Sequence, residues 1–184
     1  KGGYRISDRV DCDVDYEDPA KSWMDETLAR MGAVDDSGVF QEDQVQQMKD
    51  NASGVTSTQT SSVVESSEVK ISTDGDRSLV ILFGSQSGNA EALAAKFAKQ
   101  ASGYGLEAEV ADMDGFDLTS LSGRKRVLIV CSTWGEGEQP DTAEELWIKA
   151  SSAPSGLLDG VNFSVLALGD TSYELFCESG KEWD

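Results

Sequence analysis

Between Gly84 and Ala90 the chain reads GSQSGNA, with two serines, an asparagine and a second glycine inside seven residues. Ser85, Ser87 and Asn89 can donate to the oxygens of an anion. Backbone N–H groups from Gln86 to Ala90 add further donors where a helix begins, because a first helical turn has no internal acceptors and the helix dipole favours negative charge there. Gly88 allows close approach of the backbone. The loop contains no Lys or Arg, so a phosphate would be held by neutral groups. It is not a P-loop, since no Gly-Lys-Ser/Thr follows, and not a nucleophile elbow, since Gln86 stands where a serine is needed. An ordinary capped helix start is the competing reading of the same residues.

Two further loops carry unusual chemistry. In STWGEGEQPDTAEEL, which starts at Ser132 and Thr133, Gly135 and Gly137 bracket Glu136, leaving a backbone free to take unusual angles against a flat ligand. Trp134 offers a planar face. In LGDTSYELFCESGKEWD, Leu168, Gly169 and Asp170 lead to Tyr173, Phe176 and Cys177. Two aromatic faces from separate loops could enclose a tricyclic ring. Taken singly, Trp134 and Tyr173 read equally well as ordinary surface or core aromatics.

These loops need elements to position them. The apolar, β-branched or aliphatic run before the first loop reads as a buried strand, and the pattern after it predicts strands at Leu79–Phe83, Glu107–Asp112, Arg126–Ser132 and Asn162–Leu168. Helices are predicted near Asn89–Ser102 and Thr142–Ser152, with another starting near Phe176. Strand–helix alternation of this kind predicts an α/β fold built on a doubly wound parallel sheet. Ligands of such sheets sit at the carboxyl ends of the strands. The three loops follow the first, third and fourth of these strands.

The rest of the chain is different in kind. Residues 1–50 carry thirteen acids and six bases. DRVDCDVDYEDP looks irregular, and DPAKSWMDETLARMG reads as a helix with Asp18 as N-cap, Pro19 at the first position and Gly32 past the end. A second helix is expected over Val39–Lys49. Residues 51–78, rich in Ser and Thr, read as a flexible tether. The division expected is therefore 1–50, 51–78 and 79–184. Asp11, Asp13 and Asp15 lack the glycine and glutamate an EF-hand needs after them, so a solvated acidic segment is the reading.

Composition excludes several functions. The 184 residues carry a net charge of −19, which argues against nucleic acid and anionic membranes and for a basic partner. There is no histidine, so the usual general base and zinc ligand are missing, and no catalytic or metal-ligating residue is assigned. Three widely spaced cysteines without a CxxC suggest no disulfide framework and predict a reducing intracellular compartment. No apolar run reaches the length of a membrane span. The absent initiating methionine predicts a piece of a longer protein.

Together the three loops resemble the FMN-binding, flavodoxin-like domain of the diflavin reductases, the family of cytochrome P450 reductase and the sulfite reductase flavoprotein. The resemblance covers roughly Leu79 to Asp184. It implies that Ser85 to Ala90 cradle the FMN phosphate and that Trp134, at a position often tyrosine in the family, covers one flavin face. Tyr173 would stack on the other, and Gly135 would lie in the backbone segment that reorients when flavin N5 gains a proton. It implies an oxidoreductase part that receives electrons from an FAD/NADPH module and passes them singly to a basic heme or iron–sulfur acceptor. That module is absent, as are the family's last strand and helix, so this chain alone is expected to be inactive and FMN binding weakened or lost. The tether suggests fusion to an upstream module, as in pyruvate:NADP+ oxidoreductase. A cofactor-free docking domain and a self-standing flavodoxin are the alternatives.

Overall fold

The apolar runs form the centre of a parallel sheet. The structure, a computed structural model, describes residues 2–55 and 75–184. Strands β3 (Ser78–Gly84), β5 (Arg126–Ser132) and β6 (Asn162–Leu168) are buried along nearly their whole length, as strands covered on both faces must be. β4 (Glu107–Asp112) alternates exposed and half-buried residues, which suits the sheet edge it occupies. These four strands fall within a residue of their expected bounds.

Helix α3 (Asn89–Ala101) packs on one face, over Leu79, Ile81, Phe83, Leu128 and Val130. Helix α4 (Asp141–Ser152) packs on the other, over Val80, Leu82, Val127, Ile129 and Val165. Helix α5 (Glu178–Trp183) follows β6, starting two residues later than expected. Counted from β3, the spatial order is second, first, third, fourth, and the order reverses at β3, beside the carboxyl end of β5.

The fifth position of this sheet, expected to be missing, is filled by the N-terminal segment. β1 (Tyr4–Arg5) and β2 (Val10–Cys12) lie one after the other along the free edge of β6, both parallel to it, with Tyr4 opposite Asn162 and Cys12 opposite Leu168. The stretch expected to be irregular thus contains a three-residue strand and the first turn of α1. Its apolar residues Val10, Cys12 and Val14 alternate with Asp11, Asp13 and Asp15, the period of a half-buried edge strand.

Helix α1 (Glu17–Gly32) then crosses back to pack beside α3, with the Trp23 and Phe97 rings 6.1 Å apart. Met24, Leu28 and Met31 are fully buried there, each contributing about 1.5–3 kcal/mol gross. Asp18 does not cap α1. The cap position is Tyr16, without a side-chain bond, and Asp18 and Pro19 sit inside the first turn, where acids and proline are both tolerated. Helix α2 (Val45–Val55) starts six residues later than expected, after a 3-10 turn over Glu42–Gln44. Most of the expected tether lies outside the described residues.

Two guanidinium groups fasten the end of α1 to the sheet. Arg126, fully buried at the start of β5, donates from Nε to the Met31 carbonyl at 2.9 Å, from Nη1 to the Asp76 carbonyl at 2.8 Å, and from Nη2 to the Val34 carbonyl. Arg77 donates to the Gly105 carbonyl at 2.9 Å and the Gly32 carbonyl at 2.8 Å. These cations answer the unsatisfied carbonyls and negative dipole end of α1. Burial, with Arg77 nearby, brings the Arg126 pKa down to about 10, so it stays charged at neutral pH. Among the described residues, no helix is long and apolar enough to cross a membrane.

Candidate functional site

All three loops open at the carboxyl ends of β3, β5 and β6 and line one cavity of about 600 Å³. The first is shaped by Ser85, whose Oγ accepts the Gly88 N–H at 2.9 Å and whose own N–H donates to Thr142 Oγ1 at 3.0 Å. Gly88 precedes α3 with φ of +88°, a left-handed conformation that favours glycine. No side chain caps α3, so its first-turn N–H groups are left for a ligand. Gln86, Ser87 and Asn89 line the cavity. Ser85, Gly88 and Ala90 do not: the first two bend the loop, and Ala90 is packed in the core.

The second loop folds back on itself. Trp134 and Glu138 exchange backbone hydrogen bonds of 2.9 and 2.8 Å, and the Glu138 carboxylate accepts the Glu136 N–H at 2.6 Å. Gly135 and Gly137 have φ of +54° and +117°, so the turn depends on both glycines. Ser132, Thr133, Trp134, Gly135 and Glu136 line the cavity, whereas Gly137 does not. Gly137 instead closes against Leu175, a cavity residue the sequence reading missed. Trp134 is 53% exposed, as is Tyr173, which lines the same cavity, so both offer large uncovered ring surface.

The third loop brings Leu168, Gly169, Asp170, Tyr173, Phe176 and Cys177 to the same cavity. The Asp170 carboxylate accepts the Ser172 N–H at 2.8 Å, and the Tyr173 N–H donates to the Asp170 carbonyl at 3.1 Å. Cys177 sits at φ +56° and is fully buried, its thiol pushed up to about 12 chiefly by that burial. It is therefore a neutral wall of the site and not a nucleophile.

The N-terminal strand completes the site, which sequence reading did not foresee. Val14 and Tyr16 line the cavity. Asp13 accepts the Thr171 N–H at 3.0 Å and its hydroxyl, and the Gly169 N–H donates to the Cys12 carbonyl at 2.9 Å. The Thr171 hydroxyl, then the Thr171 and Val14 N–H groups, hold the Asp13 pKa below its ordinary value. This clasp is therefore at full strength above the usual carboxylate range and is lost as pH falls through the lowered pKa.

One polar atom in the cavity wall is conspicuous. Thr133 Oγ1 is buried and has no hydrogen-bond partner. Buried hydroxyls are normally bonded, so an orphan on a residue that lines the cavity is a candidate donor to a ligand there. Uncapped helix N-terminus, two exposed aromatics and an orphan hydroxyl together fit a planar ligand bearing an anionic tail.

Comparison with known proteins agrees with this geometry. Residues 81–184 match the flavodoxin family, and the chain belongs to it. The curated relatives include the sulfite reductase (NADPH) flavoprotein alpha-component of Shewanella sp. (strain ANA-3), 41% identical over 108 residues. That of Bacillus subtilis (strain 168) is 44% identical over 110. Each match covers 59% of this chain but 18% of the relative, so the chain spans about a fifth of their length. Among solved structures, oxidised flavodoxin 1 from Bacillus cereus aligns with a TM-score of 0.50 and 26% identity, over 56% of this chain and 69% of that one.

Proposed function

We propose that the cavity binds FMN and that the chain is an electron-transfer domain of a diflavin oxidoreductase. The observation that carries this is the convergence of three strand-end loops on one cavity, with an uncapped helix N-terminus and two exposed aromatic rings in its walls. Family membership and the flavoprotein relatives support it. FMN, when bound, supplies a centre that takes up electrons and releases them one at a time.

The chain's own residues do the rest. Ser87, Asn89 and the first turn of α3 hold the phosphate without a counter-cation. Trp134 and Tyr173 cover the ring faces and keep water from them. Thr133 Oγ1 offers a hydrogen bond to a polar edge of the ring. The peptide at Gly135 can reorient, because glycine tolerates either sign of φ, and so can present a carbonyl to a proton at the ring. Asp170 and the acids of the second loop disfavour extra negative charge on the ligand.

Tyr173→Ala tests the ring contact. Losing burial and stacking should weaken FMN by about 1–3 kcal/mol, read by flavin fluorescence titration. Riboflavin should lose the same amount, since the change lies away from the phosphate. Parent-like affinity for both ligands would remove Tyr173 from the site. A preparation that binds no flavin at all would favour the cofactor-free docking domain.

Electron delivery follows from charge. Glu136, Glu138, Asp141, Glu144 and Glu145 are all exposed beside the cavity, and no Lys or Arg lies between Arg126 and Lys149. We read this field as steering basic partners, an FAD/NADPH module on one side and a heme or iron–sulfur protein on the other, in a reducing intracellular compartment. Replacing Glu136, Glu138 and Glu144 with glutamine should slow electron transfer from the reduced, FMN-loaded chain to a basic heme protein. The expected loss is about three- to ten-fold at low salt, with a flatter salt dependence. The amide oxygen introduced by Glu138→Gln would still accept the backbone N–H of residue 136, so the turn should keep its shape and FMN should still bind, with the lost negative charge tending to tighten it. Stopped-flow rates matching the parent across a salt series would place docking on another face.

A further inference from the structure

From Thr133 to Pro140 the second loop buries two residues, Gln139 and Pro140, and Gln139 is the polar one. Its amide bonds entirely outside the loop. Nε2 donates to the Ser179 carbonyl at 3.2 Å and to Glu182 Oε2 at 2.8 Å. Oε1 accepts the Ser179 hydroxyl at 2.6 Å and the Trp183 indole N–H at 3.0 Å, with the Cys131 thiol 3.6 Å away. Both donors and both lone pairs of the amide are thereby matched by groups of α5.

What lies on either side of this amide shapes the cavity. Glu138 precedes Gln139, and its backbone and carboxylate hold Trp134 and Glu136 in their tight turn. α5 opens directly from the third loop, with Cys177, a wall of the cavity, at its cap position. Gln139 therefore joins the loop that carries Trp134 to the helix that follows Tyr173. The start of α4 is pinned separately, to the first loop: Gln86 accepts the Asp141 N–H and donates to its carboxylate, both at 3.1 Å. The closure of Gly137 on Leu175 is apolar and sets a distance without setting an orientation. A fully bonded buried amide sets both, because it fits in one orientation only.

We propose that Gln139 is a positioning residue for the planar ligand, fastening the second loop to α5 so that Trp134 and the Gly135 peptide are held in place opposite the third loop. Gln139 does not itself line the cavity. It acts by keeping the loop ordered before the ring enters. A loop already held in one arrangement loses little freedom on binding, whereas a loose one must be ordered by the ligand. The ligand half of this inference rests on the flavin reading above; the anchoring of the loop does not.

Gln139→Met keeps the length of the side chain and removes its hydrogen bonds. Hydrogen exchange of the flavin-free chain, read by mass spectrometry, should run about ten-fold faster over residues 133–138 in this variant. β3 and β5 should exchange as in the parent. A loop exchanging at the parent's rate would overturn the proposal. So would an acceleration shared equally by β3 and β5, which is the mark of a merely structural residue. Titration with riboflavin and with FMN reads the ligand half: both should weaken about three- to ten-fold. The ratio of the two affinities should stay constant, since the first loop keeps its tie to Asp141. Parent-like affinities beside a loosened loop would overturn the positioning role. Ser179→Ala takes a single bond from the amide, at a site away from the cavity, and should show the same pattern at smaller amplitude. It decides the matter should Gln139→Met fail to fold. A parent chain that takes up neither flavin would defeat the flavin reading alone, and the exchange rates would still decide whether Gln139 holds the loop.

Discussion

Ser87→Asp is expected to eliminate FMN binding at concentrations that saturate the parent, while riboflavin binding stays close to unchanged. Ser87 lines the cavity at the entrance to α3, in a loop without Lys or Arg, so nothing nearby would neutralise the new carboxylate. Two unit charges about 4 Å apart repel by about 4 kcal/mol at the effective dielectric of a protein surface. Solvent screening at this exposed position takes part of that away. About 2 kcal/mol would still weaken binding roughly thirty-fold, and the phosphate's second charge adds to it. Ser87→Ala should cost less, about 1 kcal/mol, since it removes one neutral donor. Riboflavin has no phosphate and so separates this effect from misfolding. Equal FMN affinity in Ser87→Asp and parent would show that the phosphate lies elsewhere.

The largest expected effect on stability is at Arg126. Arg126→Met keeps a long side chain but leaves the Met31, Val34 and Asp76 carbonyls without their donor. Unpaired buried groups cost about 1–3 kcal/mol each, and part of the loss is recovered as the cation's own burial is removed. A net destabilisation of about 3–5 kcal/mol follows, which for a chain of this size lowers the melting temperature by roughly 10 °C. Arg126→Lys should fall between, because an ammonium cannot span three carbonyls. Thermal unfolding by circular dichroism reads all three proteins. A melting temperature within about 2 °C of the parent would show that the carbonyls find other donors.

The four strands β3 to β6 and the three loops were legible because their signals are local. β3, β5 and β6 are largely apolar runs, β4 shows the alternation of an edge strand, and each loop's chemistry sits in consecutive residues. What escaped was assembled from afar. Asp13 and Thr171 are 158 residues apart, and no spacing rule links them. Val14 and Tyr16 belong to a stretch whose five aspartates drew attention from the alternating apolar residues between them. The Arg126 clamp was equally invisible, since an arginine opening a strand normally reads as a solvated end. Its burial follows only once α1 lies over the sheet.

The placement of the N-terminal segment, residues 2–55, at the fifth sheet position has a consequence in time. The segment is made before its pairing edge on β6. At about 5–20 residues per second, Asp13 is synthesised roughly eight to thirty seconds before Thr171. Helices form in about a microsecond, so α1 can be wound and waiting long before it has a surface to cover. Pairing of β1 and β2 with β6 must therefore wait for β6, and its long sequence separation makes it slow. The aspartates that alternate through and just beyond β2 suit that wait, because charge on an unpaired strand discourages premature partners until β6 arrives.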